Sequence, residues 1–216
     1  MIIAIDGPAG AGKSTVAKIL AKELGFLYID TGAMYRALTL KAIENKIDIN
    51  DFPRLIEMAA KTSIDLKNNP DGSLQVFLDG RDVSRQIREP RITKWVSEIA
   101  RIKEVREVML GIQRRLGQQG DSVLDGRDIG TVVFPDADKK FYIDADFRER
   151  VKRRYQELKG TGQEVTLEDI ELDLRNRDTI DSTRECAPLK KAEDAICIDT
   201  TKMSIEEVAE EIWKNL

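Results

Sequence analysis

The sequence predicts an α/β protein in three layers, a parallel sheet flanked by helices, with a small inserted subdomain that carries its own sheet. Three observations lead there. Short apolar runs ending at Asp-Gly or Asp-Thr alternate with helical stretches through tight joints, the pattern of a parallel sheet with crossover helices. A hairpin signal around residues 62–90 interrupts that alternation. The chain is 216 residues long, the size of one large domain or of a main domain with a modest insertion.

Ile2 to Ile5 is apolar throughout and stops at Asp6-Gly7, as a strand buried on both faces does. Val16, Ile19, Leu20 and Leu24 then share one helical face, and Gly25 suits the position after the helix. Phe26 to Ile29 reads as the second strand and Ala33 to Glu44 as the second helix. Phe52 to Ala60 is helical. Ile64 to Leu66 and the alternating Leu74, Val76 and Leu78 flank Asn68 to Gly72, a turn-forming stretch, and predict an antiparallel hairpin. Arg81 to Arg88 reads as an extended or looped polar segment.

Glu89 to Leu116 is largely helical, with a break near Ile102-Lys103. Ser122 to Leu124 and Lys139 to Ile143 are strands ending at Asp125 and Asp144. Phe147 to Leu158 is a very basic helix, Lys159 to Gly162 a break suited to a lid tip, and Leu167 to Arg177 a further helix. Ala195 to Ile198 is the last strand. Ser204 opens the last helix, to Trp213, and Glu207 completes a capping box.

Composition narrows the chemistry. Lys and Arg number 35 against 39 Asp and Glu, a net charge of −4, which argues against a dedicated nucleic-acid coat. Histidine is absent, so histidine-based nucleophilic catalysis and histidine-ligated zinc are excluded. Cys186 and Cys197 match no metal or redox spacing and fit a reducing cytoplasm. The N-terminus lacks the basic and apolar regions of a signal peptide, and no run of 18 apolar residues suggests a membrane span.

GPAGAGKST fulfils GxxxxGK[ST] with Gly7, Gly12, Lys13 and Ser14, between a strand and a helix. Small residues let backbone N–H groups turn inward around phosphate oxygens, and the helix N-terminus adds unpaired donors. Lys13 supplies a mobile charge for the β- and γ-phosphates, and Ser14 can ligate Mg²⁺. The fold class is therefore a P-loop sandwich. Asn45 to Asp48 spells the guanine-reading NKxD of GTPases, but at the end of the second helix and without a preceding DxxG switch.

Two further segments sit at the carboxyl edge of the predicted sheet, where open α/β sheets bind ligands. Asp30 to Arg36 offers a planar arginine fork for phosphate. Asp125-Gly126-Arg127-Asp128 offers Arg127 to a phosphate oxygen, Asp125 to Mg²⁺ or its waters, and Asp128 as an acceptor for an amino group. Arg175, Arg177, Asp178, Asp181 and Arg184 form another cluster, and Arg148, Arg150, Lys152, Arg153 and Arg154 a fourth. Two phosphate-binding regions in one core imply phosphoryl transfer to an acceptor that is itself a phosphate, which needs no general base.

Taken with YIDTGAMYR (Tyr28 to Arg36), LDGRDIGTVVFPDA (Leu124 to Ala137) and RNRDTIDSTRECAPL (Arg175 to Leu189), the phosphate loop makes the chain resemble, end to end, the bacterial cytidylate kinase family of P-loop nucleoside monophosphate kinases. The resemblance implies ATP as donor, Mg²⁺ as cofactor, CMP and dCMP as acceptors, and a cytoplasmic monomer with neither a stable nucleic-acid partner nor a membrane attachment. It implies one kinase domain over residues 1–216, with a monophosphate-binding region at 33–100 and a basic helix and lid at 148–177. It places ATP on Gly7, Pro8, Ala9, Gly10, Ala11, Gly12, Lys13, Ser14 and Thr15, with Arg150 and Arg154 from the lid. Ser97, Arg106 and Asp128 would read the base. Arg36 and Arg127 would take the acceptor phosphate, Asp181 with Arg177 the sugar, and Thr31 and Tyr35 would line the same side. Arg184 would stand near the transferred phosphate, so that Lys13, Arg127 and Arg184 are the catalytic set and Ser14 and Asp125 the metal set. The alternatives are a related kinase acting on UMP, AMP or dTMP, or an ATPase stimulated by nucleic acid through the basic helix.

Overall fold

A computed structural model describes residues 1–160 and 162–216. The elements in order are β1 (Ile2–Asp6), α1 (Lys13–Leu24), β2 (Leu27–Asp30), α2 (Thr31–Glu44), α3 (Phe52–Ala60), β3 (Ile64–Asn68), β4 (Leu74–Leu78), β5 (Arg81–Asp82), α4 (Pro90–Ala100), α5 (Lys103–Gly117), β6 (Ser122–Gly126), β7 (Lys139–Asp144), α6 (Phe147–Gly160), α7 (Leu167–Thr183), β8 (Ile196–Asp199) and α8 (Ile205–Trp213). Among the described residues, five strands form the main sheet in the order β2-β6-β1-β7-β8. Every pairing in it is parallel. The register aligns Asp30 with Asp125, Asp6 with Gly126 and Asp144 with Asp199, so the strands end together and their polar terminal residues share one edge.

The central strands are apolar because both faces are covered. Ile3, Ala4, Ile5, Val123 and Leu124 are fully buried, packed with Val16 and Leu20 of α1 and Leu38 of α2. Gly25 closes α1 at φ 71°, and Asp30 caps α2 by accepting from the N–H of Ala33 at 2.8 Å. The capping box of α8 forms between Ser204 and Glu207.

The inserted hairpin is present as β3 and β4. The segment read as polar and looped is more ordered than its composition suggests. Arg81–Asp82 adds a third strand to β4, and a 3₁₀ turn follows at Gln86–Arg88. Val83 and Ile87, each 1% exposed, pin that segment. The last lid helix runs to Thr183 rather than Arg177. Its apolar spacing fades after Leu174 because the inward positions become Arg177 and Asp181. Ile129–Val133 is a π turn, closed by Phe134 N–H to the Ile129 carbonyl at 2.7 Å. The expected break at Lys159 to Gly162 includes Thr161, which lies outside the described residues. Before it, α6 extends to Gly160.

Helices α6 and α7 pack on one another and on the loop after β1. Ala9, Val151, Ile170 and Leu174 form a small apolar cluster of their own, separate from the main core.

Candidate active site

The loop between β1 and α1 is shaped by glycines that nothing else could replace. Gly7 has φ 145°, and a Cβ there would lie 1.9 Å from the Ile143 carbonyl oxygen. Gly12 precedes α1 at φ 93° with no side-chain cap, which leaves the first N–H groups of the helix for a ligand. Lys13 is buried and its Nζ donates to the Pro8 carbonyl at 2.6 Å. Burial, reinforced by the Arg127 charge, pulls its pKa down to about 7.

Ser14 Oγ donates to Asp125 Oδ2 and Tyr28 OH to Asp125 Oδ1, both at 2.7 Å. Thr31 Oγ1 donates to the Asp125 carbonyl at 2.7 Å. Burial and the nearby Asp30 charge push the Asp125 pKa up to about 6. A cation would reverse that tendency.

Asp128 anchors the other half of the cleft. Arg106, from α5, brings Nη2 to 2.5 Å of its Oδ2. Arg106 also lies over the Tyr35 ring, 5.4 Å from the centroid. Arg184 approaches Asp128 at 3.5 Å and Asp181 at 3.8 Å. Arg127 Nε meets Asp181 Oδ2 at 2.9 Å. Arg36 donates to Thr93 at 2.8 Å. Its proton affinity falls to about 9 through burial and then through Arg177 and Arg154. The Nε atoms of Arg106, Arg154 and Arg177 are buried without a hydrogen-bond partner. Cations crowded in this way are a site built for an anion.

One cleft of about 1080 Å³ joins these groups. It takes in the loop from Ala9 to Thr15, together with Thr31, Tyr35, Arg36, Ser97, Arg106, Asp125, Arg127, Asp128, Arg154, Arg177, Asp181 and Arg184. Gly7 and Pro8 shape the loop from behind. Arg150 is likewise turned away from the cleft. Its guanidinium is occupied by the Ala9 and Ala145 carbonyls and by Asp178. Arg153 stands at the wall beside Arg154, held by two bonds to Thr200 at 3.0 and 2.6 Å. Arg88, Thr200, Met203 and Ser204 also face the cleft. The sequence marks Ser204 only as a helix cap and Arg88 only as the end of a polar segment, while Thr200 and Met203 carry no signal. The NKxD stretch lies at the end of α2, remote from the sheet edge.

The cytidylate kinase family model matches residues 3–216. The chain belongs to the cytidylate kinase family. It is 53% identical over 212 residues to a cytidylate kinase of Caldanaerobacter subterraneus subsp. tengcongensis, covering 98% of this chain and 92% of the relative. It is 50% identical to one from Clostridioides difficile, covering 98% and 96%. An uncharacterized protein from Eubacterium ventriosum superposes with a TM-score of 0.54 at 15% identity, covering 100% of this chain and 97% of that one, a likeness of fold alone. Membership of this family makes the chain a nucleoside monophosphate kinase, a phosphotransferase of the P-loop type.

Proposed function

We propose that the chain transfers the γ-phosphoryl group of ATP to CMP or dCMP, giving ADP and CDP or dCDP. The observation that carries this reading is the single cleft with two unlike ends. One end is the glycine loop with Lys13. The other is the buried Arg106–Asp128 pair with Arg184 beside it, in a cleft that Arg36, Arg127 and Arg177 also line. Residues 33–100, with the insertion at about 62–90, form the acceptor side of the domain, and 148–177 its lid.

Asp128 accepts from the cytosine amino group and repels the uracil carbonyl, while Arg106 and Ser97 complete the reading of the ring. Tyr35 and Thr31 wall the same end. Asp181 accepts from the sugar, with Arg177 beside it. Arg36 and Arg127 hold the acceptor phosphate, whose second pKa of about 6 leaves its oxygen anionic near neutrality. No general base is needed, and the carboxylates near the cleft are already engaged. Lys13, Arg127 and Arg184 neutralise the transferring group, and the loop N–H groups fix the donor in line.

Ser14 and Asp125 present adjacent hard oxygens 2.7 Å apart, a donor set that fits Mg²⁺. When bound, the ion neutralises phosphate charge. The same reading makes the chain a cytoplasmic monomer without a stable nucleic-acid partner. On the basic helix, Lys152, Arg153 and Arg154 are paired with Glu149 or Glu157 of their own helix, which leaves little free basic strip. No helix among the described residues is long and apolar enough to cross a membrane.

The test is ADP formation from ATP and Mg²⁺ with CMP, dCMP, UMP, AMP or dTMP. The expected order puts CMP and dCMP first. A preference for AMP or dTMP would overturn the acceptor assignment.

A further inference from the structure

Asp6 ends β1 and is 4% exposed. Its Oδ1 accepts from the N–H of Ile129 and its Oδ2 from the N–H of Gly130, each at 2.8 Å. Those two amides follow Asp128 directly and open the π turn. The carboxylate therefore grips, with both oxygens, the backbone that aims the Asp128 side chain at Arg106. On its other side Asp6 is joined to Gly7, where the phosphate loop begins. Residue 130 has no side chain, and it lies between Lys140 and the Asp6 carboxylate. A Cβ there would sit 3.1 Å from Lys140 and 3.5 Å from Asp6 Oδ2.

We propose that Asp6 is a positioning residue for acceptor recognition, fixing the turn that carries Asp128 and tying its place to that of the phosphate loop. The proposal rests on the acceptor reading above. Asp6 touches no reactant. It acts through two amides at the start of the turn, whose N–H groups have no partner within the turn itself. A carboxylate suits such a point because it offers each N–H an oxygen of its own, whereas an amide offers one oxygen only.

Asn at this position keeps one acceptor and turns an NH₂ toward the other amide. Asp6→Asn should therefore loosen the turn and narrow the ratio of kcat/KM for CMP over UMP by about fivefold or more. In an Asp128→Asn background the same change should leave that ratio unmoved, because the residue being aimed is already altered. Gly130→Ala presses the turn away from Lys140, 3.1 Å from the added methyl, and so shifts the Gly130 amide that Asp6 holds while keeping the Asp6 charge. It should narrow the ratio in the same direction, which covers the case of an Asp6 variant that fails to fold. A merely structural role predicts a lower melting temperature with equal losses on CMP and UMP. That result, or a full effect persisting beside Asp128→Asn, overturns the proposal. The parent's own ranking of acceptors, measured in the same assay, reports separately on the activity.

Discussion

The guanidinium of Arg106 and the carboxylate of Asp128 meet at 2.5 Å with side chains only 6% and 9% exposed. A pair this dry is costly to assemble and costlier to break from one side. Removing one partner of a buried pair typically costs about 3–5 kcal/mol. Arg184, at 3.5 Å, compensates only in part. The pair lines the cleft, and the proposal that it reads the acceptor base yields the first prediction.

Asp128→Asn should reduce the preference for CMP over UMP by about 1–3 kcal/mol in the ratio of kcat/KM values. Asparagine can donate to the uracil carbonyl, which aspartate cannot. Equal impairment on both acceptors would remove Asp128 from base reading. Arg106→Leu should lower stability in urea as well as activity, because it strands the Asp128 charge.

Lys13→Met should fold and lose nearly all phosphoryl transfer. It should also change how stability depends on pH. The folded pKa of about 7 lies below the ordinary lysine value of 10.5, so holding a charged Lys13 inside the ligand-free protein opposes folding. That cost is full below about pH 7 and is relieved as pH rises toward 10.5. The variant's advantage in melting temperature should therefore be largest near pH 6 and shrink above pH 8. A difference independent of pH would contradict it.

The arginines around Arg36 repel one another until an anion arrives. Inorganic phosphate should raise the melting temperature more than chloride at matched ionic strength, because it binds the folded chain alone. Arg36→Gln should lose at least about half of that shift, since one of the converging charged donors is gone. Equal stabilisation by both salts would sink the anion site.

Asp181→Ala should raise KM for CMP and lower kcat while KM for ATP moves less, as expected of a sugar contact that also aligns the acceptor phosphate. Burial alone would raise the Asp181 pKa, but Arg127, Arg184 and Arg177 outweigh it and hold the carboxyl below the usual range. Its stabilising contribution is thus complete above the ordinary aspartate pKa and fades as pH falls below it. The variant's stability deficit should be evident at pH 7 and diminish in acid. A deficit in stability with unchanged CMP kinetics would reduce Asp181 to a support for Arg127.

The sheet, the helices flanking it and the phosphate loop were legible because burial on both strand faces and glycine punctuation leave few alternatives. The placing of Arg36, Arg106, Arg127, Asp128, Asp181 and Arg184 in one cleft followed from motif resemblance rather than from periodicity. What stayed hidden has a common cause. The continuation of α7 past Arg177 was invisible because its inner face is charged, so the apolar signal used to recognise helices stops where the site begins. The π turn at Ile129–Val133 gives its first two N–H groups to the Asp6 carboxylate, 123 residues away in sequence from Ile129. Arg150 and Arg153 lie on one helix among like neighbours, and only the packing of α6 against the loop and Thr200 decides which of them faces the cleft.

Arg150 has a consequence for anyone who would rebuild this enzyme. One Nη1 atom spans the Ala9 carbonyl at 3.1 Å and the Asp178 carboxylate at 2.7 Å. The donor loop and both lid helices are thus bolted together through a single guanidinium. The loop's share of the bolt is a main-chain carbonyl, so its side chains can be exchanged provided the backbone keeps its path. The two helices are less separable: a chimera that exchanged α6 without α7 would part Arg150 from Asp178 unless both residues were kept. Arg150 and Asp178 must be transplanted as one part.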